Sequence, residues 1–257
     1  MKLTWMGTAS LVLESGDEKI LFDPFVELRG GEVPVTPDDF LCYDTVFVTH
    51  CHFAHLSFVT EIMEEGDATI FCTRQCCETL ARFEEDCSSV VEIVPGQHLE
   101  IGDIDITPIH SRHIEFQWKR IFDTMPPHRL IRYAGNLPFL IWGNRTFREM
   151  GEIVAYDVKA EGREVLILGS LALDPDETYP EGADVLVMPY QGNNDLPARA
   201  REVIGRLKPK TILLSHFDNA FPPMSRNVDL RPLKKLMRGE YPDIRVVKPA
   251  AFRPMEL

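Results

Sequence analysis

The pattern of apolar and polar positions over the first 50 residues reads as strands, opening on an alternation and continuing through short apolar runs. Residues 2–5 and 10–14 read as strands, and the turn 15–18 returns the chain into the apolar run 19–22, which predicts a β-hairpin. Asp23-Pro24 ends that run, because proline cannot donate to a sheet ladder. Residues 44–49 (DTVFVT) form a β-branched, apolar run of the kind found in strands covered on both faces, as in α/β architectures. The period then lengthens. Residues 58–65 and 74–85 carry helical spacing, with a short buried strand at 68–72 between them. Residues 90–94, then Pro95-Gly96, then the alternating Ile101, Ile104 and Ile106 predict antiparallel strands.

A second β-rich half begins near residue 152. It holds a hairpin of 153–158 and 165–168, a buried strand at 184–188, a helix at 197–207 and a strand at 211–215. Two strand ends share a rhythm, DTVFVTH at 44–50 and KTILLSH at 210–216. In α/β folds the carboxyl ends of strands carry the ligand site, so His50 and His216 stand where chemistry is expected. The repetition points to one duplicated sandwich over residues 1–257 rather than two separate domains. Between the halves, residues from about 118 to 144 are rich in proline, arginine and aromatic side chains and read as an insertion or lid.

Composition narrows the function classes. The 257 residues are enough to bury a core without stapling. The net charge of −13 argues against a non-specific nucleic-acid binder and against a polybasic membrane-surface protein. No apolar run approaches the roughly 20 residues of a membrane span, and no signal region is read at the start. A cytoplasmic protein with reduced thiols is the expectation. Cys72, Cys76 and Cys77 lack the paired CxxC spacing of structural zinc sites and read as packing, as does Cys51.

The chemistry concentrates in Thr49-His50-Cys51-His52-Phe53-Ala54-His55. With 8 histidines in the chain, an HxHxxH spacing is expected about 0.01 times by chance. His50 and His52 point to the same side while the chain is extended, and His55 follows as the loop turns into a helix. Three imidazoles can therefore converge locally. Neutral imidazole suits zinc, and also manganese or iron. Asp23 and Asp218 are the nearest carboxylates for orienting these rings, each with an alternative reading as a turn residue. His98 reads as a surface turn, His128 as a member of the lid. Arg112, Arg120, Arg129 and Arg132 could receive an anionic substrate or simply face solvent, and residues 191–194 could line the pocket.

These residues resemble the metallo-β-lactamase fold superfamily, whose signature is a buried strand followed by HxHxDH. The likeness extends to Ile20-Leu-Phe-Asp-Pro24, to the Val165-Leu-Ile-Leu-Gly169 strand and to Ser215-His216-Phe-Asp218. Within the superfamily the chain is most similar to the metal-dependent hydrolases related to ascorbate-phosphate lactonase. The resemblance implies an α/β fold, a four-layer αβ/βα sandwich with metal at one edge. It carries His50 and His52 onto two ligands of a first metal position, with His113 or His110 as the third. His55 and His216 match the histidines of a second position. Two departures stand out: the motif's aspartate is Ala54, and the bridging aspartate expected after the 165–169 strand is Ser170.

A second divalent ion about 3.5–4 Å from the first normally needs bridging anions to offset the repulsion. The expectation is therefore a mononuclear zinc hydrolase, in which metal-bound hydroxide attacks a small ester, lactone or phosphoester. His55, His216 and Asp218 would manage protons. The alternative is a silent member of the fold that binds a metabolite or metal. A third reading, an RNA-processing nuclease, conflicts with the acidic charge.

Overall fold

The computed structural model describes residues 1–114, 125–148 and 150–257. β1 (Lys2–Trp5), β2 (Leu11–Ser15), β3 (Glu18–Phe22), β4 (Thr45–Phe47), β5 (Thr69–Cys72) and β6 (Val90–Glu92) lie side by side in chain order. A second series follows: β7 (Leu99–Ile101), β8 (Ile104–Ser111), β9 (Ile153–Ala160), β10 (Arg163–Ile167), β11 (Val185–Pro189), β12 (Thr211–Ser215) and β13 (Arg245–Val247). The final strand, β14 (Pro254–Glu256), returns to the first sheet and pairs with β1. Among the described residues each sheet thus has seven strands.

The duplication read from the strand ends is visible in the ladders. From β14 to β6 the pairings are three antiparallel and then three parallel. From β7 to β13 the same sequence of pairings recurs. Parallel strands must be covered on both faces, which is why β4, β11 and β12 are close to continuously apolar. An aromatic stack ties the sheets together beneath the site. Phe47 lies 4.6 Å from Phe71 and 5.3 Å from Tyr156, and Phe22 lies 5.6 Å from both Phe47 and Tyr156. The Tyr156 hydroxyl satisfies its own polar atom on the Val48 carbonyl at 2.6 Å.

Helices flank these sheets: α1 (Phe53–Leu56), α2 (Val59–Glu65), α3 (Arg74–Leu80), α4 (Pro127–Arg132), α5 (Leu137–Thr146), α6 (Leu196–Leu207) and α7 (Arg231–Glu240). Three expectations change. Residues 90–94 do not pair antiparallel with 101–106: β6 runs parallel to β5, and residues 93–98 carry the chain to the other sheet through Gly96, whose φ is 82°. The helix expected to reach 85 stops at Leu80, where Glu84, Glu85 and Asp86 would place negative charge on the negative end of the helix dipole. α7 was not read from the sequence, although Leu233, Leu236 and Met237 lie at helical spacing and are buried. No helix among the described residues is long and apolar enough to cross a membrane.

The expected excursion at about 118–144 is described only from residue 125. That part forms α4, a 3-10 turn and α5, anchored by Asn136, whose amide donates to the carbonyls of Arg29 and Pro222. Residues 118–124, including Arg120, lie outside the described residues.

Candidate metal centre

The site forms where the two sheets meet at one edge. After β4 the chain makes an isolated bridge between His50 and Ile153, and Val154 N–H donates to the Thr49 carbonyl at 3.0 Å. This contact holds the histidine loop of the first sheet against the start of β9 in the second. His52 is still extended, with φ −99° and ψ 153°, and caps α1; His55 lies one turn further on. Local geometry alone therefore brings three rings together. His50 and His55 have ring centroids 4.0 Å apart, and His50 and His52 are at 4.7 Å.

His113 completes the group from the end of β8, 4.5 Å from the His52 ring and 5.3 Å from that of His50. One ligand nitrogen from each of His50, His52 and His113 lies within 4.8 Å of the other two. His110 is turned elsewhere. Its Nδ1 lies 3.1 Å from an Asp174 oxygen that also accepts from Arg112 Nε at 3.0 Å. Of the two histidines left open by the sequence, the one brought to the cluster is His113.

Each ring is held by a contact at Nδ1 or beside it. Thr49 Oγ1 lies 2.9 Å from His50 Nδ1 and donates to Asp23 at 2.8 Å. The second Asp23 oxygen accepts from the Thr49 amide at 2.8 Å. His55 Nδ1 is 2.9 Å from Asp23, and both side chains are buried. His113 Nδ1 donates to the Ile114 carbonyl at 2.8 Å, and Ile114 N–H donates to Ser170 Oγ at 3.0 Å. In His50, His55 and His113 the anchored atom is Nδ1, which reserves Nε2 for a ligand or proton-transfer role. His50 Nε2 already faces His52 Nδ1 at 3.1 Å.

His216 enters from the end of β12, its ring 5.7 Å from that of His55. It adopts a left-handed φ of 51°, and its amide donates to the Thr8 carbonyl at 2.6 Å. Its Nδ1 is shut away from solvent with no hydrogen-bond partner among the described residues. Asp218 does not orient that ring directly. One of its oxygens accepts from the Thr8 amide at 3.0 Å, so it fixes the turn that fixes His216. Burial and the neighbouring Asp218 push Glu27 up to about 9, and burial raises Asp218 too. Glu27 therefore keeps its proton and donates it to Asp218. Sequence reasoning missed Thr8 and Glu27, whose partner Asp218 lies far along the chain, and Thr49, which adjoins His50 but meets Asp23 only when β3 and β4 pair.

The electrostatics suit a cation. Burial, then the facing His55, His52 and His113, depress His50 well below the ordinary imidazole value; burial and the same neighbours lower His216 to about 3. Both rings are neutral at pH 7, as metal ligation requires. A tetrahedral zinc–imidazole site places ligand nitrogens about 3.3 Å apart, close to the His50–His52 spacing of 3.1 Å. Three converging imidazole nitrogens and an orphaned fourth, on His216, thus fit a borderline divalent ion.

A cavity of about 160 Å³ opens above the rings. Phe53, Ile114, Leu171, Phe221 and Met224 give it apolar walls; Asn144, Ser170 and Gln191 add polar atoms beside His52, His55, His113 and His216. Ala54 and Ser170, at the positions of the two missing carboxylates, both line it. The described arginines serve other partners: Arg129 bonds Asn219 and the Ser225 carbonyl, and Arg132 lies over Tyr133. His128 and His98 are exposed.

A sequence model described as a β-lactamase superfamily domain matches residues 18–217. The chain belongs to the β-lactamase superfamily. Superfamily relatives include a UPF0173 metal-dependent hydrolase of Archaeoglobus fulgidus, 27% identical over 252 residues, covering 96% of this chain and 95% of the relative. Among solved superfamily structures, Igni18, a metallo hydrolase from Ignicoccus hospitalis, aligns with a TM-score of 0.63 at 17% identity over 100% of this chain and 98% of that one. The metallo-β-lactamase fold protein YhfI from Bacillus subtilis aligns with a TM-score of 0.59 at 14% identity, over 99% and 98%. These likenesses show the superfamily's metallo-β-lactamase sandwich in this chain.

Proposed function

We propose that this chain is a metal-dependent hydrolase holding one divalent ion, zinc in the first instance, on His50, His52 and His113. The observation that carries the reading is the convergence of those three imidazoles, two of which, His52 and His113, line the cavity. Names of relatives at about a quarter identity, metal-dependent hydrolases among them, support it. A zinc ion with an open position lowers the pKa of water to about 7 and polarises a scissile oxygen.

The protein's own groups do the rest. Asp23 holds His55 at Nδ1, so His55 Nε2 is the atom that accepts or returns a proton at the reacting centre. His216, neutral and 5.7 Å from His55 between ring centroids, is the second base or an additional ligand. Phe53, Leu171 and Phe221 exclude water from the far side and favour a small substrate with an apolar body. A small ester or lactone suits those walls better than a phosphoester. All six cysteines are free thiols, which fits work in the cytoplasm.

Ala54 and Ser170 motivate both the single ion and the competing reading of a silent metabolite binder. Metal analysis after zinc-replete expression, paired with a panel of small esters, lactones and phosphoesters, separates the two. About one equivalent of metal, with turnover that disappears in His50→Ala, is the expected result. Metal below about a tenth of an equivalent rejects the metal site. A full complement of metal with no turnover of any panel member favours the silent binder.

A further inference from the structure

Away from the imidazoles, four thiols form a continuous chain. Cys72 closes β5, and Thr73 caps α3, which folds Cys76 and Cys77 back over it. Cys72 and Cys77 have their sulfurs 3.5 Å apart. Cys76 accepts from Thr73 Oγ1 at 3.4 Å and hydrogen-bonds Cys72 and Cys51, while Cys51 also donates to Thr79 Oγ1 at 3.3 Å. Cys51, Cys72 and Cys76 are fully buried; Cys77 alone of the four is half-buried and open to a small reagent. Adjacent helical residues point about 100° apart, so Cys76 faces the core while Cys77 reaches the edge.

The sulfurs form a line and not a cage. Among the described residues no three of them offer mutually close ligand atoms as the imidazoles do. Their geometry suits electron chemistry between neighbours better than enclosure of an ion. The Cys72–Cys77 contact is also asymmetric. The hydrogen bond from Cys72 holds Cys77 below the ordinary thiol value, while hydrogen bonds to Cys76 and Cys77 push Cys72 up. A reachable sulfur whose pKa is lowered, 3.5 Å from a buried partner whose pKa is raised, is the arrangement of a peroxide-reactive cysteine with its resolving thiol.

We infer that Cys77 and Cys72 are a peroxide-reactive pair that closes to a disulfide. The Cys77 thiolate attacks one oxygen of hydrogen peroxide, the O–O bond breaks, and hydroxide leaves, giving the Cys77 sulfenic acid. The Cys72 sulfur then attacks Cys77, the S–OH bond breaks, and water leaves with the Cys72 proton. In sum, two thiols and one peroxide yield one disulfide and two waters; the sulfurs lose two electrons and the peroxide gains them. The sulfurs need to approach from 3.5 Å to about 2.05 Å.

The test treats the whole protein with equimolar hydrogen peroxide, blocks remaining thiols and digests it with trypsin, which cuts after Arg74 between the two cysteines. The expected product is fragment 30–74 linked through Cys72 to fragment 75–82 through Cys77, lost on reduction. The cross-link should vanish in Cys77→Ser and in Cys72→Ala and persist in Cys76→Ser, with unchanged circular dichroism of each reduced variant. Should Cys72→Ala fail to fold, Cys77→Ser and the sequenced linkage in the wild type decide. A cross-link that survives Cys77→Ser, a linkage through Cys42, Cys51 or Cys76, or Cys77 left reduced overturns the inference.

Discussion

His50, His52 and His113, whose ligand nitrogens converge, and His55 and His216 beside them are the same side chain in two settings. The first three present nitrogens to one another with no carboxylate among them. In the second group His55 is already bound to Asp23, while His216 Nδ1 has no hydrogen-bond partner among the described residues. The positions at which the superfamily resemblance would place carboxylates hold Ala54 and Ser170, and both line the cavity. The lesson is electrostatic: imidazoles can hold one +2 charge, but a neighbouring second normally needs negative charge, and the described lining of this cavity holds no carboxylate.

The comparison breaks most visibly at His50. His50→Ala is expected to take metal content from about one equivalent to near zero and turnover down by a factor of roughly 10³ or more, whereas His216→Ala keeps most of the metal and loses about 10²–10⁴ in turnover. Mass-spectrometric metal counts beside rates on one ester would show it. Equal metal loss in both variants would mean the two groups are one site. Next comes restoring the anions. Ala54→Asp with Ser170→Asp should raise metal stoichiometry from about one to about two, read by the same counts. A smaller effect is expected from Asp23→Asn, which leaves His55 in place but weakens its anchor and costs about 10–100-fold in activity or metal affinity.

A pH titration of the metal-free protein sharpens the contrast further. Folding holds His216 down to about 3, against an ordinary value of about 6.5. As pH falls below about 6.5 the unfolded chain takes up a proton that the folded chain refuses until about 3. Stability from this group is therefore complete above the upper value and is lost across that window. Urea midpoints at pH 7 and pH 5 should differ, and His216→Asn should shrink the difference. Smallest of all, Ser170→Ala removes the acceptor of the Ile114 amide and should cost about 1 kcal/mol in urea unfolding.

What was legible in the sequence was local. The hairpin of β2 and β3, the buried strands β4 and β12, and the HxHxxH turn depend on neighbours within a few residues, and the structure places them where the pattern did. His113 was ambiguous with His110 because both lie at one strand end. What separates them is Asp174, more than 60 residues on, which takes the Nδ1 of His110 and the guanidinium of Arg112. The same distance hid Thr8 and Glu27. Of the two orienting carboxylates considered, Asp23 reaches a ring because β3 lies directly beside β4, whereas Asp218 meets the turn at Thr8 and the Glu27 carboxyl. The cysteines looked inert because their spacing resembles no zinc motif, yet the strand-to-helix turn at Thr73 stacks them.

The seam between the sheets also sets an order of events. His50, His52 and His55 can find one another as soon as residues 45–56 have folded, but His113 and His216 arrive from strands of the other sheet. The Thr8–Asp218 contact spans 210 residues of chain. During synthesis, which proceeds from the N-terminus, the local trio is therefore present long before its remaining members emerge. Non-local contacts of this reach form slowly. The centre is complete only once strands of both sheets have come together, so a competent site reports that the two sheets have docked.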